Sequence, residues 1–340
     1  MDTLRNNDAT PPDRLNEDWR FGQPHVHAAD LLRLLASHPG DAGFLSHHAP
    51  SALTCTATAP GSVFPAIGSG YLVQQALGKP MQSLSLSVAG HSAPDSPLTL
   101  TCDASGLFLA SICITIEPGT HAHIIERHIH HGASTLICLR HYTILPGATL
   151  SLELQEEGSG DSRALNISHI TCSGRGTARH LTTHSSHIWA REETTAELTG
   201  SEGDLLLLSA NRLHGSQQLD QRTVQRHTTP GAKSRLLYKN VLDDHASAIF
   251  GGNIRVEPAA HDTDAYLSNL NLMLSERATM HSLPGLEILA DRVRCSHGSA
   301  TAPMDPEQLF YLLARGISEP SARTLLADGF LSAVHSQFRA

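Results

Sequence analysis

The sequence predicts a mainly β chain, best read as the stacked rungs of a solenoid, with an irregular segment before it and a helical segment after it. Three observations carry this. From about Leu98, short alternating runs succeed one another, among them Leu98-Thr-Leu-Thr-Cys102, Thr149-Leu-Ser-Leu-Glu-Leu154 and Asp204-Leu-Leu-Leu-Leu208. Alternation between Gly, Pro, Asp and Asn punctuation is the strand signature, and helical periodicity is nearly absent from this stretch. A turn glycine followed by a strand also recurs at Gly119, Gly147 and Gly176, in steps of 28 and 29 residues. Stacked rungs repeat in this way. A sandwich of short strands would leave similar traces, so pattern alone keeps both architectures open.

Taken in order, residues 1–24 are polar and proline-rich and read as an irregular arm, anchored by Trp19–Arg20–Phe21. A short helix is expected over Ala28–Ser37, where Leu31, Leu32, Leu34 and Leu35 cluster. The expected organisation is an N-terminal segment over 1–95, a β core over 96–285 and a C-terminal helical segment over 286–340. In that last segment Asp305 is placed to cap a helix, Pro306 occupies its first turn and Gly316 closes it. Ser318 opens a second helix, whose Leu326, Phe330, Val334 and Phe338 recur every four residues, a spacing that usually means core packing.

Composition narrows the function. The 340 residues are 40% apolar and 17% charged, enough for a sizeable core. A net charge of −9 and only 4% aromatics argue against a nucleic-acid surface. The six cysteines (55, 102, 113, 138, 172 and 295) have neither C-x-x-C nor zinc-finger spacing and read as reduced thiols. No secretory leader and no membrane-length apolar run is seen, so a cytoplasmic protein is expected. Phosphate-loop, dinucleotide and esterase-elbow motifs are absent, which lowers the case for an enzyme.

The conspicuous number is 23 histidines. Their densest tract is His121-Ala-His123-Ile-Ile-Glu126-Arg-His128-Ile-His130-His131. On a strand His121 and His123 share a face, as do His128 and His130, and two imidazoles with a carboxylate suit Zn, Mn or Fe. With His214, eleven residues after Gly203, the tract resembles the two cupin motifs, which makes a cupin-like mononuclear metalloenzyme the alternative function. The fit is poor, because Glu126 comes one residue early and Ser209 and Asn211 replace the usual Pro and Gly. The favoured reading is that these histidines decorate the outer face of a strand.

The most specific signal lies between residues 235 and 330. It runs through Tyr238-Lys-Asn-Val-Leu-Asp-Asp244, Ala248-Ile-Phe-Gly-Gly-Asn-Ile-Arg-Val256, Asn269-Leu-Asn271, Leu283-Pro-Gly-Leu-Glu287, Cys295-Ser-His-Gly298 and Leu309-Phe-Tyr-Leu312 to Arg315-Gly-Ile317. This ordered series, with Glu17-Asp-Trp-Arg-Phe21 and His227, resembles the SufB/SufD family of iron–sulfur cluster assembly proteins. Asn269-Leu270 stands where SufB-like members carry a scaffold cysteine, and Cys295-Ser-His-Gly298 replaces their Glu-His-Glu, so the resemblance is to the SufD-like branch. The Trp-Arg motif begins at residue 19, so the helical N-terminal domain common in that branch is expected to be truncated here.

The resemblance implies a right-handed parallel β-helix that pairs edge to edge with a SufB-like subunit; the sequence leaves open a homodimer of the chain when alone. It implies that the C-terminal helical segment docks the SufC ATPase through Leu309, Phe310, Leu313, Arg315, Leu326 and Phe330. It further implies a non-enzymatic scaffold that supports iron acquisition and binds no nucleotide, nucleic acid or membrane. His297 would be a transient ligand to iron, or to an iron–sulfur cluster shared with SufB. Neutral imidazole beside a partner's thiolate is a suitably exchangeable ligand. Cys295, two residues earlier on the same strand face, is the second candidate, against the competing reading of a buried small apolar side chain.

Overall fold

The computed structural model describes residues 43–57, 81–158, 160–184 and 187–340; the expected Trp19–Arg20–Phe21 anchor and the helix over Ala28–Ser37 lie outside them. Successive strands are dealt alternately into two sheets. One sheet holds, in order, β1 (Gly43–His48), β4 (Leu98–Ala104), β6 (His121–His130), β8 (Thr149–Glu157), β10 (Thr177–Thr182), β12 (Asp204–Leu213), β14 (Lys233–Leu242), β16 (Asp264–Met273) and β18 (Arg294–Pro303). The other holds β2 (Leu53–Ala57), β3 (Gln82–Gly90), β5 (Leu107–Ile116), β7 (Thr135–Ile144), β9 (Arg163–Cys172), β11 (Trp189–Leu198), β13 (Gln218–His227), β15 (Ser247–Val256) and β17 (Thr279–Ile288).

From β3 and β4 onward each strand pairs in parallel with the strand two places later. The fold is therefore a parallel β-solenoid, and the antiparallel pairing of a sandwich is ruled out. Counting β4 to β18 by even numbers gives eight rungs among the described residues. His121 pairs with Thr149 and Thr149 with Thr177, a rung of 28 residues. Gly119 and Gly147 turn each rung at φ of 70° and 71°, a region that costs any side chain strain. In the next rung the left-handed residue is Gly174, so the repeat read at Gly176 is offset by two.

Alternation explains which residues meet inside. Leu150, Leu152 and Leu154 face inward from β8, and Leu207, Leu236 and Leu267 stack in register across β12, β14 and β16. A polar column lies beside this apolar one. The Asn211 amide donates to Asn240 at 2.7 Å, Asn240 donates to Asn271 at 2.8 Å, and Asn271 donates to Thr301 Oγ1 at 3.2 Å. Each buried amide is satisfied by the rung that follows it, so the column adds register without stranded polar groups.

The ladder crosses both boundaries expected from the sequence. It includes β3 before residue 96, and it continues past 285 through the end of β17 and all of β18, so the helices begin only at Pro306. Residues 294–303 read poorly as a strand because they are largely Ser, Ala, Gly and Thr and lie exposed. Helix α1 (Pro306–Ala314) is capped as expected, with Asp305 accepting from Glu307 N at 2.9 Å, and it buries none of its side chains. Helix α2 (Glu319–Arg339) lays Ala327, Leu331, Val334 and Phe338 on Leu181, Leu208, Ala210 and Val241 of the first sheet's outer face. Among the described residues no helix is long and apolar enough to cross a membrane.

Two buried histidines outside any candidate site give the fold an acid limit. Burial lowers His180 on β10 and His227 on β13 from 6.5 to about 4 each. Their folded pKa lies below the unfolded one, so the stability they contribute is present above pH 6.5 and lost as pH falls toward 4. The loss is on the order of a few kcal/mol for the pair. Thermal midpoints measured from pH 7 to 4.5 should fall steeply, and His180→Asn with His227→Gln should flatten the slope. An unchanged slope in that double variant would refute the assignment.

Candidate functional site at the open end

The two ends of the solenoid are built differently. At the N-terminal end β1 runs antiparallel to β4 and β2 antiparallel to β3, which interrupts the parallel ladder. At the other end β17 and β18 pair only with β15 and β16, so among the described residues each keeps one free edge. Unpaired edges of this length invite another strand.

Side chains on that last rung continue the inner columns. Leu207, Leu236 and Leu267 stack in turn, and the next position is His297; Ala265 is followed by Cys295. An imidazole thus ends a leucine column, which is tolerated because no further rung of the described residues covers it and His297 is exposed. Cys295 is half-buried against the core, and burial pushes its thiol up, so in the isolated chain it packs as a small apolar group. The sequence reading that places both on one face agrees with the register.

Apolar surface surrounds them. Leu286 and Ile288 of β17 extend the buried Ile254 and Val256 positions of β15, yet are 38% and 39% exposed. Leu283 and Leu289 are more exposed still. Ser299 Oγ donates to Ser282 Oγ at 2.8 Å, joining β18 to β17 across the rung. Thr301, the last member of the polar column, also stands on this end.

The helical candidates divide. Phe310, Leu313 and Arg315 are exposed with Tyr311, over whose ring Arg315 lies at 5.0 Å, and Leu309 is half-buried in a cleft with Met273, Met304 and Arg323. Leu326 and Phe330 are half-buried on α2 instead. Phe330 packs toward the first sheet, with Lys239 Nζ 4.4 Å above its ring and donating to its carbonyl at 2.9 Å.

The histidine tract corrects the sequence reading. His121 is exposed and His123 packs edge-on against Phe338, but His128 and His130 are buried inside the solenoid rather than displayed outside it. The phase was readable: Ala122 and Ile124 mark the inward positions of β6, and 126, 128 and 130 share their parity. Glu126 is held by Arg140 Nε at 2.5 Å and by Tyr142 Oη at 2.6 Å, and His214 lies exposed near the β12–β13 turn. The cupin-like ligand set is not assembled.

A family model described as the SUF system FeS cluster assembly, SufBD core domain, matches residues 100–330. An iron–sulfur cluster assembly SufBD family protein of Mycobacterium leprae is 31% identical over 216 residues, covering 61% of this chain and 55% of that protein. The iron–sulfur cluster assembly protein SufD of Escherichia coli is 34% identical over 149 residues, covering 44% of this chain and 35% of that protein. The chloroplastic protein ABCI7 of Arabidopsis thaliana is 34% identical over 188 residues, covering 55% of this chain and 34% of that protein. The chain thus spans between about a third and just over half of these curated relatives.

Proposed function

The chain belongs to the SufBD family of the SUF system, and from that premise we propose that it is a SufD-like, non-catalytic scaffold subunit for cytoplasmic iron–sulfur cluster assembly and iron acquisition. The observation that carries this reading is the end that the described residues leave uncapped. Two free strand edges, a rim of exposed Leu283, Leu286, Ile288 and Leu289, and His297 with Cys295 lie on the same last rung. A SufB-like solenoid meeting these edges would complete the ladder and cover the apolar rim. His297 would then face the partner's thiolates, where an exchangeable imidazole holds iron, or a forming cluster, as transient cargo. In the absence of that partner, a second copy of the chain takes the same end. The exposed face of α1, with Phe310, Leu313 and Arg315, is the proposed docking element for a SufC-like ATPase, and nucleotide chemistry belongs to that subunit.

Co-expression with SufB-like and SufC-like partners tests the role of His297. The His297→Ala variant should assemble with both partners as the parent does, because the side chain is exposed, while the iron and sulfide recovered with the complex fall several-fold. Equal cluster content in the two complexes would overturn the assignment of His297.

A further inference from the structure

A second constellation lies inside the solenoid, remote in sequence from the last rung. Inward positions of successive rungs carry His128 on β6, Glu156 opposite it on β8, and His184 two residues beyond the pairing of Leu154 with Thr182. His130 of β6 and His187, just before β11, complete the group, and all five side chains are shut away from solvent. Glu156 Oε2 is 2.6 Å from both His184 Nδ1 and His187 Nε2. Its Oε1 accepts from Asn166 Nδ2 at 2.9 Å and lies 3.8 Å from His128 Nδ1. Ligand atoms of His128, His130 and Glu156 lie within 4.8 Å of one another, as do those of Glu156, His184 and His187.

Three of these imidazoles are each fixed through one ring nitrogen. His128 Nε2 is 2.7 Å from Glu126 Oε1, His130 Nδ1 is 3.2 Å from Ser134 Oγ, and His187 Nδ1 is 2.8 Å from Ser162 Oγ. That is the outer support found behind metal-ligating histidines, which orients the ring and leaves the other nitrogen's lone pair available. On His128 and His130 the other nitrogen makes no hydrogen bond, whereas His184 Nε2 faces Glu192 Oε2 at 3.4 Å and Glu192 Oε1 lies 3.7 Å from Arg140 Nη1. Buried orphan atoms of this kind are costly. With every imidazole neutral, as metal ligation requires, the buried charge would be unbalanced. Glu126, Glu156 and Glu192 are buried together with a single guanidinium, that of Arg140.

We propose that this pocket binds one divalent transition-metal ion of the zinc or ferrous class through His128 Nδ1, His130 Nε2 and Glu156, with His184 and His187 hydrogen-bonded to the Oε2 of that carboxylate. Imidazole and carboxylate without thiolate suit such an ion and not an iron–sulfur cluster. Two positive charges would match the two carboxylates that Arg140 leaves uncompensated. The neighbouring group of Cys102, Glu126, His128 and Cys138 is no rival, because Arg140 already stands 2.5 Å from Glu126 Oε1 and 3.3 Å from His128 Nε2. This site is independent of the scaffold reading.

The full chain, purified without a polyhistidine tag and stripped with chelator, would be titrated with Zn2+, and with Fe2+ under anaerobic conditions. Elemental analysis should return one ion per chain, and the thermal midpoint should rise on loading. Glu156→Gln and His130→Asn should each bind at least ~10-fold more weakly and lose the thermal shift, while His214→Ala, at an exposed histidine outside both sites, should bind as the parent does. Co2+ loading of the parent chain gives a visible spectrum and X-ray absorption that read nitrogen and oxygen ligation directly, so the test stands even where a variant fails to fold. No stoichiometric metal in the parent, sulfur ligation, or undiminished binding in a folded Glu156→Gln would each overturn the proposal. The first outcome would mean that two protonated imidazoles balance the buried carboxylates.

Discussion

Arg140→Met should lower the stability of the chain by about 3–5 kcal/mol, the usual cost of stranding a buried charge. Arg140 is 1% exposed and its guanidinium serves four groups at once. It meets Glu126 Oε1 at 2.5 Å, Asn166 Oδ1 at 2.8 Å, Ser168 Oγ at 3.0 Å and His128 Nε2 at 3.3 Å. Burial alone would raise Glu126, but the guanidinium beside it, with His128 and Tyr142, holds its carboxyl well below the usual range. Remove the cation and that carboxylate must either take up a proton or remain charged in a dry interior. The double variant Arg140→Met with Glu126→Gln should recover much of the loss, since it deletes both charges. Urea unfolding of the four chains measures this cycle. A single variant within 1 kcal/mol of the parent, or a double variant no better than the single, would show that the ion pair is not what closes this part of the core.

Leu286→Asp with Ile288→Asp should abolish assembly with a SufB-like partner while leaving the solenoid folded. Both side chains are more than a third exposed, so the free chain has little packing to lose. At a formed interface they would be the desolvated centre, where truncations commonly cost ~2 kcal/mol or more each, and two buried carboxylates cost more again. Affinity should therefore drop by at least ~100-fold, read by co-purification and by surface binding, with circular dichroism confirming the β content. Undiminished assembly by a folded double variant would remove the open end from the interface.

The middle of the solenoid was legible in the sequence because each rung there is covered by the next. Burial on one face writes alternation into Leu150, Leu152 and Leu154, and the turn glycines at 119 and 147 mark the period. The last rung was obscure for the opposite reason. With nothing stacked on them, residues 294–303 need no apolar face, and a run of Ser, Gly, Ala and Thr carries no strand pattern. His297 was found through the motif around it, and register then explained it as the residue that ends a leucine column. Helix α1 announced itself through Asp305, Pro306 and Gly316, because caps are local chemistry. The interior cluster left only part of itself in a local signal, the His128 and His130 of the dense tract, which the sequence reading placed on the outer face. His128, Glu156 and His184 are 28 residues apart in sequence and adjacent only through the rungs, so a search for close ligand spacing passes over them. Arg140 and Glu126 lie on different sheets, and their pairing depends on how those sheets face each other.

The unlike ends of the ladder bear on how large an assembly edge pairing would give. Stacking two solenoids through the edges of β17 and β18 would use up the growing face of each, and at the opposite end the outermost described strands, β1 and β2, run against the ladder and do not continue its parallel register. Association through that parallel edge alone would terminate at two bodies, whether identical or not, where a ladder parallel at both ends would run on into a fibre.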